Sequence, residues 1–120
     1  MKNVMIGIDI GATNTRLAIL NYRGEVQGKE RIPSRMSDGK PFFDHVADLA
    51  AKMANRSKAR VVGVGTAGQI DRNSGAYLPG LAPHQPWVGI PLKSIIEEKT
   101  GLPTFVDNDC KISAYAELKV

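Results

Sequence analysis

Three short stretches of the chain hold side chains whose types and spacing can do chemistry. The first is Asp9-Ile10-Gly11-Ala12-Thr13-Asn14-Thr15-Arg16. A carboxylate ends the apolar run Val4-Met5-Ile6-Gly7-Ile8, and a Gly/Thr/Asn loop leads straight into a second run, Leu17-Ala18-Ile19-Leu20. Glycine reaches backbone angles closed to other residues. Gly11 and Ala12 leave the backbone bare, so amides from Gly11 to Thr13 would converge on an anion, with the two Thr hydroxyls as further donors. Asp9 would repel a phosphate held there unless a cation stood between them, which points to Mg²⁺ held through water. On spacing alone, a hairpin turn with polar residues accounts for the same stretch. The second stretch is Gly65-Thr66-Ala67-Gly68 with Asp71, and the third is Asn108-Asp109 after Val106-Asp107. Read from its residues alone, the third stretch caps a helix. Capping leaves room for chemistry, because the same helix start can orient a carboxylate.

The elements that must position these stretches follow from hydrophobic period. Residues 3–10 read as a buried central strand, with Val4, Ile6, Ile8 and Ile10 on one face and Met5, Gly7 and Asp9 on the other. Residues 15–21 form a second strand, and Asn21-Tyr22-Arg23-Gly24 is a turn signal. Residues 25–32 form a third, more polar strand suited to a sheet edge. After a polar loop at residues 33–40 the period changes. Phe42, Val46, Leu49 and Met53 recur at helical spacing, Pro41 suits the first turn, and residues 55–58 end the helix. His45 falls on the surface of that helix. Residues 60–65 form a fourth strand, which implies a right-handed parallel crossover. Asp71 to Gly75 is a tight turn. Residues 77–89 are irregular, and Trp87 there is read as a plug in the core. Pro91 to Thr100 is a short helix capped by Gly101, residues 102–107 a fifth strand, and Asn108-Asp109 opens a last helix.

Three antiparallel strands followed by parallel crossovers predict a mixed five-stranded sheet with helices on both faces, an α/β fold. In such sheets ligands lie beyond the C-terminal ends of the strands. Asp9, Thr66 to Gly68 and Asn108-Asp109 all fall at such ends, so segments far apart in sequence are expected at one edge.

Composition limits the function classes. The chain has 120 residues, 42% hydrophobic and 23% charged, with a net charge of +4. That is one compact domain of ordinary globular material. No Lys/Arg run reads as a nucleic-acid patch, and no apolar run approaches the roughly 20 residues needed to span a bilayer. The single cysteine, Cys110, allows no internal disulfide, which fits a reducing cytosol, so a cytoplasmic location is expected. The N-terminus carries no signal-peptide pattern.

The Asp9–Arg16 stretch resembles the first phosphate motif of the sugar kinase, hexokinase, actin and heat-shock ATPase superfamily. It is most similar to the Asp-Ile-Gly-Gly-Thr motif of the ROK family, with Ala12 at the second glycine. Val106-Asp107-Asn108-Asp109-Cys110 followed by Ala114-Tyr115-Ala116-Glu117 resembles the family's second motif. Gly65-Thr66-Ala67-Gly68 with Asp71 resembles its sugar-side loop, and Trp87 with Ile90-Pro91-Leu92 its Trp-to-Pro-Leu segment. Two departures bear on sugar identity. Tyr77-Leu78-Pro79-Gly80 lacks an Asn frequent in this region, and Lys111 stands where a small polar residue is common.

The resemblance implies a ribonuclease H-like lobe, residues 1–120 being the N-terminal lobe of a two-lobed sugar kinase and the C-terminal lobe lying outside the chain. It implies an ATP-dependent kinase acting on a hexose or N-acylhexosamine. Asp109 would be the catalytic base and Asn108 a sugar ligand. Thr66, Ala67 and Gly68 would neighbour the sugar. Gly11, Ala12, Thr13, Asn14 and Arg16 would hold the phosphates of ATP, with Asp9 positioning Mg²⁺. Any zinc-binding His/Cys cluster would belong to the second lobe, since Cys110, His45 and His84 are unsuitably placed for one. The isolated lobe is expected to be inactive. The rival functions are a sugar-sensing ROK transcriptional regulator, which would carry a DNA-binding segment before the first motif where only Met1 to Asn3 stand here, and a non-catalytic sugar-binding module. The sequence names neither the sugar nor the oligomeric state, and a homo-oligomer of the full-length protein stays open.

Overall fold

The computed structural model describes residues 4–79 and 85–107. The first strand, β1 (Met5–Ile10), is the centre of the sheet. Its alternation buries Val4, Ile6, Ile8 and Ile10 in the main core, while Met5 joins a smaller cluster with Leu20 on the opposite face. Helices were expected on both faces, but among the described residues they cover only the face that holds Ile6, Ile8 and Ile10, and the opposite face carries the small Met5–Leu20 cluster. The neighbour β2 (Asn14–Leu20) pairs antiparallel with β1, and β3 (Val26–Pro33) pairs antiparallel with β2. The polar strand β3 lies at one edge, as its composition predicts.

A short 3₁₀ turn, Met36–Asp38, occupies the polar loop and leads into helix α1 (Lys40–Ser57). Pro41 sits in the first turn, and Lys58 closes the helix in the left-handed region at φ 62°. Phe42, Phe43, Val46, Ala47, Ala50, Met53 and Ala54 are its buried face. His45 is exposed. Strand β4 (Val61–Thr66) then pairs parallel with β1. Helix α2 (Leu92–Thr100) buries Leu92, Ile95 and Ile96 and ends at Gly101, whose φ of 70° suits glycine. Strand β5 (Thr104–Asp107) closes the sheet beside β4, giving the order β3-β2-β1-β4-β5.

Helices α1 and α2 pack against each other, and their buried residues join one core on the face of the sheet that holds Ile6, Ile8 and Ile10. The last helix, expected from Asn108-Asp109 onward, lies outside the described residues. So does His84. Trp87 is half-buried and packs against the main core, the plug expected of it.

Candidate functional site

Strand register places the charged residues of the site. Asp9 pairs with Arg16 on β2 and with Gly65 on β4, Arg16 pairs with Arg31 on β3, and Gly65 pairs with Asp107 on β5. Paired residues share a face of the sheet, so Arg31, Arg16, Asp9, Gly65 and Asp107 form one row across all five strands near their site end. Adjacent strands are about 4.8 Å apart. The Asp9 and Asp107 backbones are therefore roughly 10 Å apart, two strand spacings, with a glycine and no side chain between them. The Arg16–Asp9 pairing sets opposite charges side by side, which favours this register. Asp107 Oδ1 accepts from Arg72 Nη2 at 3.1 Å, tying the end of β5 to the turn after β4.

The next residue along each strand faces the other way. Thr15, Ile10 and Thr66 point into the helix-covered core, and both threonines are fully buried. This corrects one expectation for the Asp9–Arg16 loop. The Thr15 hydroxyl is bonded to Ser34 Oγ at 2.7 Å inside the protein, so only Thr13, which is exposed, offers a hydroxyl outward. A second expectation also changes. Gly11 is not among the glycines with positive φ. Its N–H donates to the Asn14 carbonyl at 2.9 Å, closing the loop on itself instead of facing an anion. Glycine is still required, because a Cβ at this position would sit 2.9 Å from that same carbonyl oxygen. Ser34 N–H donates to the Thr13 carbonyl at 2.8 Å and holds the loop against the end of β3. The exposed backbone of Ala12 and Thr13 is what remains to meet an anion.

The Thr66–Gly68 loop joins this one directly, since Ala67 N–H donates to the Ile10 carbonyl at 2.7 Å. Thr66 spends its side chain internally. Its hydroxyl donates to the Ala67 carbonyl at 2.9 Å and lies 2.6 Å from the Tyr77 hydroxyl. Gly68 holds φ +88°, and a Cβ there would stand 3.5 Å from the Tyr77 ring and 3.7 Å from Trp87 Nε1. The loop is thus backed by two aromatic side chains. Burial pushes the Tyr77 phenol above its ordinary range. Asp71 closes the following turn by accepting the Asn73 and Ser74 N–H groups, which hold its carboxyl below the usual value.

Of the residues expected in the site, Asp9, Gly11 to Asn14, Arg16 and Thr66 to Gly68 are brought together at one end of β1 and β4. Asn108 and Asp109, next in sequence after Asp107, lie outside the described residues. Sequence reasoning missed Tyr77 and the Arg72–Asp107 pair. Neither has a motif, although a tyrosine directly after a tight turn and two residues from Gly75 was a signal that the segment folds back onto the core. Among the described residues no three acidic or histidine side chains form a metal cage. Asp9 fits the other mode of Mg²⁺ binding, one carboxylate with waters and substrate phosphates supplying the remaining ligands.

Three comparisons with known proteins bear on this arrangement. The sequence profile of the ROK family matches residues 5–120. The chain is 34% identical over 119 residues to a glucokinase from Halalkalibacterium halodurans, covering 94% of this chain and 36% of that protein. It is 31% identical over 119 residues to a xylose repressor from Caldicellulosiruptor bescii, covering 94% of this chain and 29% of that protein. It superposes with a TM-score of 0.77 and 26% identity on a ROK family glucokinase from Streptomyces griseus in complex with glucose and AMPPNP, covering 98% of this chain and 36% of that one. The chain therefore spans about a third of the length of these relatives, 36% and 29% of the two curated proteins. Its sheet and helices have the fold of ROK sugar kinases.

Proposed function

We propose, because this chain belongs to the ROK family, that it is the N-terminal lobe of an ATP-dependent kinase that phosphorylates a hydroxyl of a hexose or N-acylhexosamine. The observation that carries the proposal is the bond from Ala67 N–H to the Ile10 carbonyl, 2.7 Å. It fixes the loop assigned to phosphate and the loop assigned to sugar as one unit at a single sheet end, which is what a transfer between two bound substrates needs.

In this reading the Gly11 turn presents the Ala12 and Thr13 backbone to the phosphates, Asn14 closes the turn through its carbonyl, and Arg16 adds a cation beside them. Asp9 is the carboxylate toward Mg²⁺, which when bound would offset phosphate charge during transfer. Ala67 and Gly68 would line the sugar side of the loop, whose Thr66 hydroxyl and Ala67 N–H are engaged inside. Asn108 would hold the sugar. Asp109 would align the accepting hydroxyl and take its proton late in the transfer. Phosphoryl transfer asks mainly for positioning, so a weak carboxylate base suffices.

A second reading, a sugar-sensing regulator of the same family, has the xylose repressor similarity behind it. A coupled ADP-release assay on the longer protein that joins this lobe to its second lobe, run against a panel of hexoses and hexosamines, separates the two. The kinase reading expects release that depends on one or a few sugars. Saturable sugar binding with no release from any of them would favour the regulator.

A further inference from the structure

We infer that Tyr77 is a positioning residue for the sugar-side loop, acting through Thr66 to fix the backbone of Ala67 and Gly68. The inference rests on the reading of residues 66–68 as the loop that meets sugar. Tyr77 is 2% exposed, and its ring lies 5.3 Å from that of Phe43 on α1, so the phenol is anchored on the main core. Its backbone is clamped from two sides. Tyr77 N–H donates to the Ile90 carbonyl at 3.2 Å, Gly89 N–H donates to the Tyr77 carbonyl at 2.8 Å, and Leu78 N–H donates to the Gln69 carbonyl at 2.8 Å. A side chain held this firmly can hold something else.

What it holds is a chain of hydroxyls. Thr66 has one hydroxyl proton, and it goes to the Ala67 carbonyl at 2.9 Å. The 2.6 Å contact between the Thr66 and Tyr77 hydroxyls is then donated by Tyr77. The phenol sets the Thr66 rotamer, Thr66 sets the Ala67 carbonyl, and the Ala67 N–H is already fixed on Ile10. The Tyr77 ring also backs Gly68 at van der Waals distance. Both peptide units that would meet a sugar are thereby given one orientation before any ligand arrives. A site that reads hydroxyls by hydrogen bonds gains its selectivity from such fixed partners.

The test is Tyr77→Phe, which removes the oxygen and keeps the ring against Phe43. Measured on the two-lobed protein, sugar KM should rise roughly 3–10-fold, the scale of one neutral hydrogen bond, while kcat and the KM for ATP stay within about twofold, inside that same scale. Amide exchange at Ala67 and Gly68 should quicken, with β1 and β4 unchanged. In a Thr66→Val background the same substitution should add nothing further to sugar KM, because the phenol acts through Thr66. An unchanged sugar KM, or an equal rise with Thr66 already removed, would overturn the inference. Absence of turnover in the wild-type protein would instead sink the kinase reading, and the exchange comparison would still decide whether Tyr77 holds the loop.

Discussion

Gly11 lacks a side chain because the loop it opens bends back on itself, with the Asn14 carbonyl 2.9 Å from where a Cβ would stand. Gly11→Val must push that carbonyl aside and reshape the backbone at Ala12 and Thr13. In the two-lobed protein it should raise the KM for ATP at least about tenfold, on the scale of a misplaced binding element, and leave sugar affinity within about twofold, inside the effect of one hydrogen bond. Unaltered ATP kinetics would make the loop an ordinary turn. Asp107 is a contrasting carboxylate. Its partner Arg72 has a side chain 70% exposed, and such ion pairs contribute little. Asp107→Asn should lower Tm by no more than a few degrees and keep most of kcat. Tyr77 gives the fold a pH dependence on the alkaline side. Its phenol stays protonated in the folded state beyond the pH at which an unfolded tyrosine ionises, near 10. The unfolded state therefore binds fewer protons there, and this contribution to stability is complete below about pH 10 and declines above it. Melting curves between pH 8 and 11 should show a steeper alkaline fall for wild type than for Tyr77→Phe.

At the scale of elements, the strands and helices that carry strong periodicity were legible. Apolar residues on both faces of residues 3–10 required a central strand, and the polar composition of residues 25–32 placed them at an edge. Pro41 and Gly101 marked a helix start and a helix end. The segment after β4 was not legible, because its order comes from long-range closure. Ile70 bridges Tyr77, and Ala76 bridges Pro91, pairings that no period announces. Gly75 is the hinge of this segment. It holds φ +70°, and a Cβ there would collide with Lys93 Cβ on α2. Gly75→Ala should therefore cost about 1–3 kcal/mol, the scale of a non-glycine residue forced into a rare backbone region, seen as a lowered Tm. A variant as stable as wild type would mean that the turn and α2 shift freely. The meeting of the loops after β1 and β4 was readable in the same way, because loops at the C-terminal ends of neighbouring strands must meet. The allocation of side chains to faces was harder. Thr15 looks like a hydroxyl donor in sequence, yet register turns it into the core, where Ser34 takes up its hydroxyl, and the Thr66 side chain turns the same way onto Tyr77.

At the scale of the whole molecule, the proposed function makes the described residues one wall of a site. The row from Arg31 to Asp107, the Gly11 turn and the Ala67-Gly68 backbone all lie at one end of the sheet, with no counterpart facing them among the described residues. In the proposed kinase, adenosine contacts and the remaining sugar contacts would come from the second lobe. Residues 1–120 alone should fold cooperatively and show no sugar-dependent ADP release, and clear turnover by this piece would contradict the two-lobed account. The central claim is that this lobe supplies the catalytic base of a sugar kinase. It is tested most directly by steady-state ADP release from the two-lobed protein, wild type beside Asp109→Asn, at saturating sugar. The substitution keeps shape and capping ability while removing the charge. The account predicts a folded variant that still binds sugar, with kcat reduced roughly 10²–10⁴-fold. A folded variant with wild-type kcat would leave Asp109 a helix cap and contradict the claim.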